Sequence, residues 1–187
     1  MIIGHTFQPV CQQKNSNFLQ KNSNFLQKKG STFFVFPSKM PFLNLMTLGT
    51  NPNFNNLEVW GTKKPYVQAG LYGQCTWFAW GRFYELYGYD PGFSGDGSSC
   101  VKELVAAHPD KFERSSSPKA GAVFSAIGHN HVGIVIAVKD NTLTVQEGNL
   151  DGITNTFQDA KKDWQTKSYT LDQLRSIYGG VVFANPK

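Results

Sequence analysis

From Gln74 to Tyr87 apolar residues crowd the chain: Trp77, Phe78, Ala79, Trp80, Phe83, Tyr84, Leu86 and Tyr87. They wrap most of the way round a 3.6-residue period, which predicts a helix buried on nearly every side, ended by Gly88 and Pro91. A second helix is predicted after Ser99, a candidate N-cap, with Val101, Leu104, Val105 and His108 along one face and Pro109 as its stop. Beyond Pro118 the period falls to two. Gly121–Ile127, His131–Val138 and Thr142–Gly148 are rich in Val and Ile and alternate as strands do. Trp164–Tyr169 is a less regular strand, and Gly180–Ala184 a last one. Between them, Thr170-Leu171-Asp172-Gln173 has the form of a capping box, opening a short helix that Gly179-Gly180 close. Helices first and an antiparallel sheet afterwards predict an α+β domain.

The pattern is different upstream. NSNFLQK occurs at Asn15–Lys21 and again at Asn22–Lys28. Two heptads rich in Asn and Ser are too few and too poor in helix formers for a coiled coil, so a poorly ordered duplicated segment is expected. The Asn-rich run 44–56 reads as linker. With 187 residues the chain has room for one well-buried domain. The expected division is a poorly ordered segment and linker at 1–59 and a folded domain at 60–187.

Charge follows the same division. Residues 1–59 hold five Lys and one acid, while 60–187 hold 13 basic and 12 acidic residues. The net charge of +5 therefore belongs mostly to the tail. A nucleic-acid surface needs its basic residues on the folded part, so that class of partner is excluded. No run reaches the roughly 18 apolar residues of a membrane span, and no membrane insertion is expected. The apolar stretch 31–48 is broken by Pro37, Lys39 and Pro41 and starts far from Met1, so no signal peptide is read there.

Three cysteines, Cys11, Cys75 and Cys100, are too few and too odd in number for a disulfide scaffold. Cys75 opens the first predicted helix, just after Gly70 and Gly73. The unpaired N–H groups and positive potential of a helix N-terminus favour a thiolate, and the same groups can hold an oxyanion. Most lone cysteines are small buried hydrophobes, however. Cys100, placed inside the second helix, is expected to be one of these and inert.

A base is available at the mouth of a strand, where His129 and His131 stand. Glu147 and Asn149, two apart, point to one face of the following strand. Whether His131 shares that face depends on the turn. A two-residue turn at Asp140-Asn141 would put His131 opposite in face to Glu147. A three-residue loop, Lys139-Asp140-Asn141, would pair His131 with Asn149 and Gly133 with Glu147, with Gly133 leaving room for the carboxylate. The three-residue loop is expected, with Asn141 tolerating the left-handed conformation.

Taken together, Gly73-Gln74-Cys75-Thr76-Trp77, His131-Val132-Gly133-Ile134-Val135 and Gln146-Glu147-Gly148-Asn149 resemble the three motifs of the CHAP family, the cysteine- and histidine-dependent amidohydrolase/peptidases. The likeness covers roughly residues 67–185. It implies a papain-like fold of the NlpC/P60 type, acting as a monomer on bacterial peptidoglycan at the cell wall, as phage lysins, virion-associated hydrolases and wall-remodelling enzymes do. It also implies Cys75 as nucleophile, His131 as base, assistance from Glu147 with Asn149, and Gln74 beside the oxyanion. Some relatives carry an Asp-rich calcium loop before the cysteine. Here residues 67–72 hold no carboxylate, so neither calcium nor any other cofactor is expected. The family likeness leaves open whether the bond cut is the lactyl amide of muramic acid or a stem-to-bridge peptide bond. No cell-wall-binding domain is recognised after the catalytic part.

Two alternatives compete. His129-Asn130-His131 is an H-x-H string that a zinc-dependent amidase could use, with His108, Asp110 or Glu147 as a third ligand, although none stands at a recognised spacing. A non-catalytic wall-binding module could stack Trp60, Trp77, Trp80 and Tyr89 on sugars, although aromatics at helical spacing more often fill a core.

Overall fold

The structure, a computed structural model, describes residues 48–61, 65–153 and 156–187. The duplicated heptads and the stretch 31–47 lie outside the described residues. The elements run α1 (Leu57–Trp60), α2 (Pro65–Gln68), α3 (Cys75–Tyr87), α4 (Cys100–Ala107), β1 (Phe112–Ser115), β2 (Val123–Ala126), β3 (His131–Lys139), β4 (Thr142–Gly148), α5 (Phe157–Ala160), β5 (Trp164–Thr170), α6 (Leu171–Tyr178) and β6 (Val181–Pro186). The six strands form one antiparallel sheet in the order β1-β6-β2-β3-β4-β5. This is the expected α+β class, with the early helices packed on an antiparallel sheet.

Helix α3 lies across β3 and β4. Trp77, Phe78, Ala79, Phe83 and Leu86 are almost wholly buried, which is why its sequence shows no polar face. Gly88, left-handed at φ 76, ends it by returning its N–H to the Tyr84 carbonyl. The Thr170/Gln173 capping box is formed at the start of α6. Ser99 does sit at the N-cap of α4, but its side chain caps nothing: its hydroxyl donates to the Asp96 carbonyl and to Glu103. Cys100 is therefore the first residue of that helix, not an interior one.

From residue 48 on, the segment expected to be linker is part of the packed unit. Leu48 and Val59 are buried, and Trp60 is wholly inaccessible against Phe54, Trp77 and Phe78. Arg82 of α3, also wholly buried, donates to the carbonyls of Leu48 and Thr50, to Gln146 and to Glu85. Glu85 in turn accepts from the Trp60 indole and the Asn53 amide. A buried guanidinium needs several acceptors at once, and backbone carbonyls of an extended strap supply them. The folded unit thus includes residues upstream of Trp60, and composition alone misplaces the boundary.

The β3–β4 turn corrects a second expectation. Lys139 pairs with Thr142, leaving a two-residue turn, Asp140-Asn141, in which Asp140 and not Asn141 is left-handed at φ 54. Val138 and Ala137 keep that register against Leu143 and Thr144. At Ile136 the ladder shifts, so that Val135 pairs with Val145 and Ile134 with Gln146. One extra residue, a β-bulge, does what the longer loop was expected to do. Were Ile136 paired and the ladder regular throughout, His131 and Glu147 would face opposite sides of the sheet. Gly133 serves a different purpose from the one expected. A Cβ there would meet the Phe124 ring at 2.6 Å, so the space belongs to that ring and not to a carboxylate.

Candidate active site

Glu147 is at the centre of the site, with no exposure to solvent. Its Oε2 accepts from the His131 Nε2 at 3.1 Å and from the Tyr178 hydroxyl at 2.6 Å. Its Oε1 accepts from the Tyr169 hydroxyl at 2.9 Å and from the Gln165 amide at 3.0 Å. Burial alone would raise this carboxyl. The hydrogen bond and charge of His131, with the hydroxyls of Tyr178 and Tyr169, outweigh it and bring the pKa down to about 2. Glu147 is therefore an anion at neutral pH.

An ionised carboxylate only accepts hydrogen bonds, so Nε2 of His131 carries a proton. In the neutral ring the lone pair then lies on Nδ1, which is buried and makes no hydrogen bond. The ring stacks on Tyr178, with centroids 4.9 Å apart and planes 13° apart. From the other side, Ser98 donates its N–H to the Asn130 side chain, and Gly97 runs so close to the His131 backbone that a Cβ there would fall 2.8 Å from its carbonyl carbon. The loop before α4 thus clamps the start of β3.

The helix bearing Cys75 reaches this patch at the end of β4. A Cβ on Gly148 would strike Phe78 at 2.7 Å, so only glycine allows the first turn of α3 to lie against the strand end. Asn149, left-handed at φ 61, turns the chain out of the sheet. Its Nδ2 donates to Oε1 of Gln74 at 3.3 Å. Gln74 is the N-cap of α3, but its side chain does not cap the helix. It is held by Asn149 instead, with its amide oxygen occupied as acceptor. One hydrogen bond joins His131 to Glu147 and another joins Asn149, two residues on in the chain, to Gln74, which Cys75 follows directly. All five are buried, Gln74 being the most exposed at 3%. Cys75 is disulfide-bonded in this structure, so thiol chemistry belongs to its reduced form.

Cys100 shares with Cys75 a place at a helix start but has no such surroundings. It is free and buried, and burial with the nearby Glu103 charge pushes its thiol well up. Among the described residues no group of three or more His, Cys, Asp or Glu could hold a metal ion. His131 gives its Nε2 to Glu147, while His129 lies beside Gly179. Trp60, Trp77 and Trp80 are core residues, 6% exposed at most, and form no platform for sugars. No helix among the described residues is long and apolar enough to cross a membrane.

The donors Gln165, Tyr169 and Tyr178 escaped the sequence reading. Gln165 stands directly opposite Glu147 in the β4–β5 ladder, and one alternation on from it twice is Tyr169. The signal was two polar-tipped residues on the inner face of a strand beside a buried acid.

Residues 65–149 match the family described as the CHAP domain. No curated protein sequence matches the chain. Among solved structures, an N-acetylmuramoyl-L-alanine amidase from Staphylococcus aureus aligns with 62% of this chain and 31% of its own, at 20% identity and a TM-score of 0.42. Ly7917, crystallised with the hydrolysing product of MDP, aligns with 42% of this chain and 33% of its own, at 24% identity and a TM-score of 0.29. The chain spans about a third of the length of these structures. The matched segment begins ahead of the Cys75 helix and ends on Asn149, and over it this chain is similar to the CHAP domain.

Proposed function

We propose that the chain is a peptidoglycan hydrolase that cuts an amide bond by a thiol mechanism, with Cys75 as nucleophile and His131 as base. The observation that carries this reading is the wholly buried His131–Glu147 pair, linked through Asn149 and Gln74 to the start of the helix that bears Cys75. In the reduced protein, Nδ1 of His131 takes the proton of the Cys75 thiol, and the resulting thiolate attacks the amide carbonyl. The oxyanion is held by the Cys75 backbone N–H and by the side-chain amide of Gln74, whose oxygen is already committed to Asn149. Nδ1 of His131 gives a proton to the departing amine. The same nitrogen then takes a proton from water, and the hydroxide hydrolyses the thioester, regenerating thiol and imidazole. Glu147, anionic throughout, fixes the tautomer and offsets the charge of the imidazolium. Action at the bacterial cell wall follows from this substrate.

The test is lysis of purified bacterial walls by protein first reduced with dithiothreitol. Alkylation with iodoacetamide abolishes lysis, a zinc chelator leaves it unchanged, and mass spectrometry of the soluble fragments shows a newly freed amine at one amide. Chelator-sensitive lysis that survives alkylation would overturn the reading in favour of the His129/His131 metal alternative.

A further inference from the structure

Helix α6 is eight residues long and delivers a tyrosine to Glu147 from each end. Tyr169 precedes the Thr170 N-cap, and Tyr178 is its last residue before Gly179, left-handed at φ 63. The capping box fixes one end of this helix. The other is fixed by Gly128, which donates its N–H to the Tyr178 carbonyl, and by Gly180, which donates to the Arg175 carbonyl. Tyr178 touches both members of the buried pair: its hydroxyl bonds the Glu147 carboxylate and its ring lies flat on His131. Tyr169, Tyr178 and the helix between them lie beyond the segment that matches the family.

We infer that Tyr178, with Tyr169, is a positioning residue for the thiol reaction proposed above, completing the site from a C-terminal segment outside the family match. A carboxylate has about four lone-pair directions, and four donors here occupy two on each oxygen. The carboxylate can neither rotate nor take up a proton without losing one of them. Nε2 of His131 is thus the donor to the remaining direction, and Nδ1 is kept as the reactive nitrogen. Both tyrosines must donate, which requires their protonated form, and the raised pKa of each agrees with this. Burial is the first cause in both cases and the Glu147 charge the second.

The groups facing Glu147 are His131 from β3, Gln165 and Tyr169 from β5, and Tyr178 from α6. Lys167 of β5 lies farther out, its Nζ 5.2 Å from the centre of the Tyr169 ring. Removing a donor from a carboxylate raises its pKa, since the hydrogen bond favours the charged form.

The inference rests on the reading of Cys75 and His131, and its experiment separates the two. Full-length reduced wild type, Tyr178→Phe, Tyr178→Leu, Tyr169→Phe and Cys75→Ala are compared on purified walls, recording kcat, KM, the pH profile and thermal melting. Tyr178→Phe keeps the ring against His131 and loses only the hydroxyl. It is expected to lower kcat by about ten- to a hundredfold with KM little changed, and to move the acid limb of the profile to higher pH. Tyr178→Leu loses more, and Tyr169→Phe shifts the limb in the same direction. A Tyr178→Phe protein that melts earlier but keeps the wild-type kcat and acid limb would show a merely structural role and overturn the inference. If Tyr178→Phe does not fold, Tyr169→Phe decides on the same readouts. Full activity in Cys75→Ala would instead overturn the underlying reading.

Discussion

At Glu147, a carboxylate cut off from water remains charged because four donors replace the water it has lost. The consequence for stability has a definite sign. Its folded pKa of about 2 lies below the ordinary 4.5, so the folded state is favoured by the anion. That contribution is complete above the ordinary carboxyl range and is lost as pH falls from about 4.5 toward 2. The size implied is on the order of 3 kcal/mol. Glu147→Gln leaves the two tyrosines and His131 around an amide that can accept only through its oxygen. It should cost about 3 kcal/mol at pH 7, and the variant's stability should be flatter than that of wild type across the acid window. Denaturant titrations at a series of pH values measure both. Equal slopes for the two proteins would mean that the carboxylate is not held as described.

Among the elements, the β3–β4 hairpin shows most clearly what a sequence does and does not reveal. The strands themselves were legible, because Val and Ile alternate there with a period of two. The facing of His131 and Glu147 was also legible, because both chemistry and burial require it. The device was not. A bulge at Ile136 leaves no mark in a run of Val and Ile, and Asp and Asn both tolerate the left-handed turn position. Strand β1, by contrast, was missed because only Phe112 of its four residues is buried. Helices α1, α2 and α5, four residues each, are too short to show any period. The bulge makes a prediction at this scale. An alanine inserted between Ile134 and Val135, on the site side of the bulge, would shift the ladder by one and turn His131 away from Glu147. Wall lysis should fall by roughly a thousandfold or more, even in protein whose circular dichroism keeps its sheet signal. A glycine inserted between Asp140 and Asn141 lies at an exposed tip beyond the bulge, and lysis should stay within about threefold of wild type. Comparable losses in both variants would show that the register between the bulge and the site does not set the facing of the pair.

The whole molecule brings together residues separated by more than half of the chain, from Gln74 to Tyr178. Three motifs carried most of this site in the sequence: the segment around Cys75, the strand opened by His131 and the Glu147–Asn149 stretch. The remainder, Gln165, Tyr169 and Tyr178, depended on which strand pairs with β4 and on where a capped helix returns to the sheet. Neither is written in local spacing. The same holds for the strap from Leu48 to Trp60, whose Asn-rich composition suggests a linker while Arg82 and Glu85 bind its backbone and indole into the core. The proposed mechanism needs two halves together: a helix start bearing a sulfur, and a sheet bearing an imidazole with its anion. The measurement that tests this most directly compares turbidity loss of purified bacterial walls with reduced wild type, Cys75→Ala and Cys100→Ala. The account predicts that Cys75→Ala loses at least about a thousandfold in rate while Cys100→Ala lyses as wild type does. Lysis that persists in Cys75→Ala would contradict it.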